Sequence, residues 1–287
     1  MPELPEVEVV RAGLAPAAIG SRISAVGVFD ERALTRHPAG PADFVARLEG
    51  RSFRGAERRG KFLWLPLDGA DAALIAHLGM SGQMLLRAPD AAPERHERIR
   101  IHLEHPQHGH VAIVFADQRT FGSLAVDHLV VDGDSLIPSQ VVHIARDPVD
   151  AAFDDLAFRE ALGRRGSAIK RVLLDQGVVS GIGNIYADES LWAARIHPET
   201  PANRLSTVAV RRLLAEVRTV LGKALAEGGT SFDAQYVNVN GESGYFAHSL
   251  NAYGRGGEPC PRCGGSIRRE AFMNRSSHYC PRCQIRR

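Results

Sequence analysis

All four cysteines of this 287-residue chain lie beyond residue 259, as Cys260-x2-Cys263 and, after sixteen residues, Cys280-x2-Cys283. This is the spacing of a structural four-cysteine zinc site: each CxxC turn offers two thiolates, and a hairpin between them brings the pairs together. Four sulfur donors leave the metal no open position, so the ion would hold the fold and do no chemistry. The other arrangement of these thiols is two disulfides. The acidic start Met1-Pro2-Glu3-Leu4-Pro5-Glu6 has no basic leader, which argues against a secretory, oxidising compartment. There is also no run of about 18 uncharged apolar residues. We therefore expect a soluble cytoplasmic protein with no membrane partner.

The formal net charge of +2 says little about partners, but its distribution says more. From Asn251 onward eight Arg stand against two Glu, which suits a phosphate-binding segment or simply a solvated basic end.

Pro5, Glu6 and Glu8 with Leu4, Val7, Val10 and Leu14 predict a helix near the start, because proline suits a first turn and acids there complement the helix dipole. From about Ile23 to Val131 short strands are expected, among them Phe62–Leu65, Ile99–Leu103 and Val111–Phe115, separated by Gly-, Asp- and His-containing turns. This half reads as a β-sandwich or barrel. Helical spacing returns later, over Phe153–Leu162, Ile169–Leu174, Asn184–Ala194 and Thr207–Ala226. A Gly-, Asn- and Ser-containing loop, Tyr236–Tyr245, leads to the cysteine hairpin.

Gly55-x4-Gly60-Lys61 looks like the start of a phosphate-binding loop. It fails as one, because Phe62 stands where a magnesium-ligating Ser or Thr is needed and a strand follows where a helix is required. The amino terminus offers sharper chemistry. Removal of Met1 would expose the secondary amine of Pro2. An α-amine titrates near neutrality, so a neutral fraction can attack a sugar C1′ and form an iminium, with Glu3 as a general acid. The same residues also serve as an ordinary helix lead-in.

The opening Met1-Pro2-Glu3-Leu4-Pro5-Glu6-Val7-Glu8 closely resembles that of bacterial formamidopyrimidine-DNA glycosylases. The resemblance continues through Gly60-Lys61, His77-Leu78-Gly79-Met80-Ser81-Gly82, Asp117-Gln118-Arg119-Thr120-Phe121-Gly122, Gly181–Glu189, Gly244-Tyr245-Phe246 and the cysteine hairpin. It implies an α+β protein of two lobes: an N-terminal β-sandwich carrying the first helix, and a helix-two-turn-helix module with a zinc hairpin. The boundaries expected are 2–133 for the catalytic sandwich, 134–150 for a linker, 151–232 for the helical module, 233–250 for a lesion-loop segment and 251–287 for the zinc finger. DNA is expected in the cleft between the lobes.

Position by position, the resemblance implies that Pro2 is the nucleophile, Glu3 its acid partner and Glu6 a supporting carboxylate. Lys61, which reaches the DNA phosphate beside the lesion, and Arg275 of the zinc hairpin complete the catalytic set. Met80, Arg119 and Phe121 fill the space left by the extruded base, while His96, Lys170 and Asn184 make further DNA contacts. Each role has physical sense, since a base inside a duplex must be rotated out before it can be attacked. An apolar wedge such as Phe121 kinks the stack, and the planar fork of Arg119 suits a base edge. On their own, Met80 and Phe121 equally suit a core, Arg119 a surface ion pair and Asn184 a helix cap; His77 reads as structural.

The activity implied is a bifunctional glycosylase and AP lyase. It would excise 8-oxoguanine and formamidopyrimidines through a Pro2 Schiff base followed by β,δ-elimination. One structural zinc, damaged double-stranded DNA as partner, a monomer and no nucleotide cofactor complete the expectation. Two alternatives are an endonuclease-VIII-like enzyme for oxidised pyrimidines and a non-catalytic zinc-ribbon DNA-binding protein; Leu4 and the Asp-x-Arg-x-Phe-Gly motif favour the purine branch.

Overall fold

Leu4, Val7, Val10 and Leu14 are all buried along one face of α1 (Leu4–Ala18) in the computed structural model, which describes residues 2–107, 109–230, 239–240 and 246–286. The chain divides into two units, Met1–His143 with Gly228–Gly244, and Ile144–Glu227 with Tyr245–Arg287.

In the first unit, β1 (Arg22–Val28), β6 (Glu97–His105), β7 (Gly109–Asp117) and β5 (Gly82–Arg87) form one sheet in that order. A second sheet runs β2 (Glu57–Arg59), β3 (Phe62–Pro66), β4 (Ala72–His77), β8 (Ser123–Asp132) and β9 (Ser135–Pro138). Every pairing is antiparallel. Period-two alternation sends Leu63 and Leu65 from one sheet, and Ile99, Ile101, Ile113 and Phe115 from the other, into a single core that also receives the apolar face of α1.

The sequence reading needs two corrections here. Residues 40–48, expected among strands, form α2 (Gly40–Leu48), which buries Phe44 and Leu48 one turn apart. The segment read as linker from 134 begins with β9, whose Ser135 pairs with Asp132. Asp132-Gly133 closes this hairpin, with Gly133 at φ +60, the left-handed conformation such turns require.

The second unit contains α3 (Asp155–Gly163), α4 (Ile169–Leu173), α5 (Asn184–Ala193), α6 (Thr207–Ala226) and the hairpin β10 (Arg268–Phe272) and β11 (Arg275–Tyr279). Local chemistry sets the helix starts. Asp154 accepts the N–H groups of Leu156 and Ala157, and Ser206 accepts that of Ala209, each satisfying donors a first turn leaves open. Among the described residues no helix is long and apolar enough to cross a membrane.

Candidate active site

The amino terminus is buried, not trailing. Pro2 is enclosed and Glu3 is only 3% exposed. Glu6 explains why the segment is fixed. One of its carboxylate oxygens accepts the Glu3 N–H at 2.8 Å, and the other accepts the Thr230 N–H at 2.7 Å and hydroxyl at 2.9 Å. Glu6 thus ties the residue after Pro2 to a segment that returns to this unit from the far end of α6. Gly229 makes the close approach possible: it sits at φ +82, and a Cβ there would lie 3.0 Å from a Glu6 oxygen.

Lys61 occupies the β2–β3 turn and is 8% exposed. Glu8 on α1 accepts from Arg58 Nε at 3.0 Å, and Arg58 Nη1 donates to the Gly60 carbonyl at 3.1 Å, so the turn is anchored to the helix that Pro2 leads into. Burial would raise the Glu8 carboxyl, yet hydrogen bonds from Arg11 and Arg58 hold it below its ordinary value. His77 packs on Phe62 with ring centroids 4.7 Å apart, and its Nδ1 accepts the Gly79 N–H at 3.2 Å. Burial, then the nearby Arg36 and Lys61 charges, lower it to about 4, so it stays neutral and structural at physiological pH.

Met80, Arg119 and Phe121 lie on two loops that meet. Met80 and Phe121 are 38% and 56% exposed, and Arg119 stacks on the Phe121 ring at 4.9 Å. Exposed side chains of this size need a rigid base, and Asp117 supplies it. Buried to 1%, its carboxylate accepts from Ser81 Oγ (2.5 Å), Arg119 N (3.1 Å) and Gly122 N (2.7 Å). Gly79, at φ +61, allows the loops to touch, since a Cβ there would sit 2.4 Å from the backbone of Phe121 and Gly122. His96, at φ +64, accepts the Asp117 N–H through its carbonyl at 2.9 Å, which sets it beside the same loop.

In the second unit the four cysteine sulfurs lie within 4.8 Å of one another, and Cys263 Sγ is 3.5 Å from Cys280 Sγ. Tetrahedral coordination with Zn–S bonds of about 2.3 Å has edges of about 3.8 Å, so the cluster fits one structural zinc. Trp192 Nε1 donates to Cys260 Sγ at 3.4 Å, a contact of the kind that orients metal ligands.

Lys170 requires a correction. It was expected at a DNA phosphate, but it is fully buried. Its ammonium lies 2.6 Å from Asp188 and donates to Ser276 O (2.9 Å) and Ser277 Oγ (3.1 Å). Asp188 also accepts the His278 N–H at 2.8 Å, and Asn184 Nδ2 donates to Ser276 O at 3.0 Å. Lys170, Asp188 and Asn184 therefore seat strand β11, and with it exposed Arg275, on helices α4 and α5. Asn184 is not the cap of α5; Gly183 holds that position. Next to Asp188, buried Glu189 receives the N–H groups of Asn251, Ala252 and Tyr253, fixing the chain's entry into the cysteine segment.

The sequence does not single out the anchoring roles of Glu8, Arg58, Asp117, Asp188 and Glu189. All of these but Arg58 stand inside the family motifs, and a carboxylate within an apolar helix run such as Asn184–Ala193 is a usable signal. Of the lesion-loop segment, residues 233–238 and 241–245 lie outside the described residues, as do 231–232 at the end of the helical module.

Family models match three stretches: formamidopyrimidine-DNA glycosylase N-terminal domain at residues 1–124, formamidopyrimidine-DNA glycosylase H2TH domain at 144–235, and zinc finger found in FPG and IleRS at 257–285. A formamidopyrimidine-DNA glycosylase from Leifsonia xyli subsp. xyli is 62% identical over 295 residues, covering 99% of each chain. Among solved structures, Lactococcus lactis Fpg in complex with abasic-site DNA is 33% identical with a TM-score of 0.85, covering 99% of this chain and 100% of that one. The same protein in complex with Fapy-dG DNA gives 33% and 0.84 at the same coverage.

Proposed function

This chain belongs to the formamidopyrimidine-DNA glycosylase family, and from that premise we propose how its own residues carry out the reaction. It is a DNA glycosylase for oxidised purine lesions in base excision repair, and AP lyase activity accompanies glycosylase activity in this family. The observation that carries the assignment of residues is the Glu6 carboxylate. One of its oxygens holds the backbone N–H directly after Pro2 while Thr230 holds the other, as a nucleophile at a chain end requires.

After Met1 is removed, the neutral Pro2 amine attacks C1′ of the damaged nucleotide. The N-glycosidic bond breaks, the purine leaves, and Glu3 donates a proton to the opening sugar ring. The iminium acidifies the C2′ proton; its loss expels the 3′ phosphate, and a second elimination expels the 5′ phosphate. A one-nucleotide gap with phosphate ends results. Pro2 supplies the electron pair for the attack on C1′, the iminium then takes up the pair left by the departing C2′ proton and passes it to the leaving phosphate, and hydrolysis of the iminium returns the amine. Lys61 and Arg275 would hold phosphates near the lesion, and His96 a further one. Phe121, with Arg119 stacked on it and Met80 opposite, would take the place of the extruded base. The four cysteines hold the zinc that shapes the hairpin presenting Arg275.

Borohydride trapping on a duplex containing 8-oxoguanine opposite cytosine tests this reading. A covalent product mapping to Pro2, lost in Pro2→Gly while duplex binding persists, is expected. Undiminished trapping in Pro2→Gly would assign the nucleophile elsewhere. Faster excision of thymine glycol than of 8-oxoguanine would move the chain to the pyrimidine-lesion branch.

A further inference from the structure

A cavity of about 660 Å³ opens in the second unit, with Cys283 of the cysteine cluster and Ser206, the cap of α6, in its wall. Its wall carries Arg195, Arg204 and Arg212, and none of its lining residues is Asp or Glu. Some exposed arginines of this chain lie on carboxylates, as Arg32 on Asp30 at 2.7 Å and Arg218 on Asp155 at 2.6 Å, and others, such as Arg51 and Arg211, stand singly among the described residues. No carboxylate among the described residues pairs with Arg195, Arg204 or Arg212; Arg212 donates only to the Ala194 carbonyl, at 2.9 Å. Cations gathered at one concave site without counter-charges of their own are complementary to an acidic ligand.

The rest of the wall says which acidic ligand. Leu205 lines the cavity, and Val208 and Ile285 stand in it 69% and 64% exposed, among the most exposed large aliphatic side chains of the protein. Phosphates gain nothing from such groups, whereas a peptide that brings carboxylates and a large apolar side chain satisfies both halves of the wall. The arginine side of the cavity is also set apart from the Asn184 end of α5. Asn184 begins α5 and Arg195 follows its end, and a helix of that length spans about 15 Å. An occupant here would leave the Asn184–Ser276 seat of the β11 hairpin undisturbed.

We propose that the cavity lined by Arg195, Arg204 and Arg212 docks a short acidic segment with a large apolar side chain, belonging to a partner protein, while the enzyme engages DNA. The inference goes beyond base excision and does not depend on which residues perform it.

Fluorescence anisotropy of a labelled Asp-Asp-Glu-Leu-Phe peptide, titrated with full-length zinc-loaded protein, tests the proposal. The controls are Asn-Asn-Gln-Leu-Phe and Asp-Asp-Glu-Ser-Ser. Saturable binding at least ten-fold tighter than either control, weakened at least ten-fold by Arg195→Glu with Arg204→Glu, is expected. The double variant should keep its zinc content and its rate of 8-oxoguanine excision, which shows that it is folded. Equal binding of all three peptides, or binding indifferent to the double variant, overturns the proposal. Displacement by undamaged duplex that the double variant abolishes makes the cavity a nucleic-acid site and overturns it too. Equal competition by millimolar citrate would reduce it to a small-anion site and would likewise overturn it.

Discussion

Replacing Lys170 by methionine keeps most of the side chain's volume and removes only its ammonium. Asp188, itself 1% exposed, would then face the Ser277 hydroxyl and the His278 N–H with no cation at 2.6 Å. Breaking a buried ion pair by deleting one partner costs about 3–5 kcal/mol, because the remaining charge stays desolvated. For a cooperative unit of one to two hundred residues that loss lowers Tm by on the order of 10 °C. Thermal unfolding of the zinc-loaded protein measures it, and adding Asp188→Asn should restore at least half. The salt dependence of DNA binding is the second readout. A side chain that neutralises a phosphate contributes a slope of about one in log Kd against log salt, and a buried one contributes nothing. A Tm change below about 2 °C, together with a slope reduced by about one, would refute the argument and return Lys170 to the phosphate that the family resemblance implied.

Gly79→Ala would drive a Cβ into the Phe121–Gly122 backbone at a positive φ, costing about 1–3 kcal/mol; 8-oxoguanine excision should fall at least ten-fold by single-turnover kinetics, and unchanged rates would show that the Met80 and Phe121 loops need not touch. His77, lowered to about 4, binds its proton more weakly folded than unfolded. Stability is therefore full above about pH 6.5 and declines as pH falls toward 4, by at most about 3 kcal/mol; urea midpoints across that window should flatten in His77→Gln, and an identical decline would assign the effect to other groups. Cys280→Ser should lose zinc by metal analysis and weaken duplex binding; a zinc-free variant with full affinity would remove the metal from the DNA-binding account.

The parts of this molecule legible in sequence are those with local causes. Ser206 before an apolar period and Gly228 after it bound α6 at Thr207 and Ala226, and the CxxC spacing foretold the sulfur cluster. Some local signals were passed over. Gly40-Pro41 with Phe44 and Leu48 four apart marked α2, and Asp132-Gly133 marked the β8–β9 turn. What the sequence hid was pairing at a distance. Nothing in Ile169-Lys170-Arg171-Val172 says that Lys170 is the buried cation and Arg171 the exposed one. That is decided by Asp188 and by a strand more than a hundred positions further along. Asp117 likewise shows its purpose only when Ser81, from another loop, arrives at 2.5 Å.

The Glu6–Thr230 contact joins positions 224 apart in the chain. During synthesis the amine end leaves the ribosome first, but the group that fixes Glu6 emerges only after the whole sandwich and α6 have been made. A growing chain would therefore carry Pro2, the proposed nucleophile, early and hold it correctly late. A fragment ending at His143 would contain Pro2, Glu3 and Glu6 and still lack the segment that sets them. The segment at Pro2, near the start of the sequence, is in assembly order among the last to be put in place.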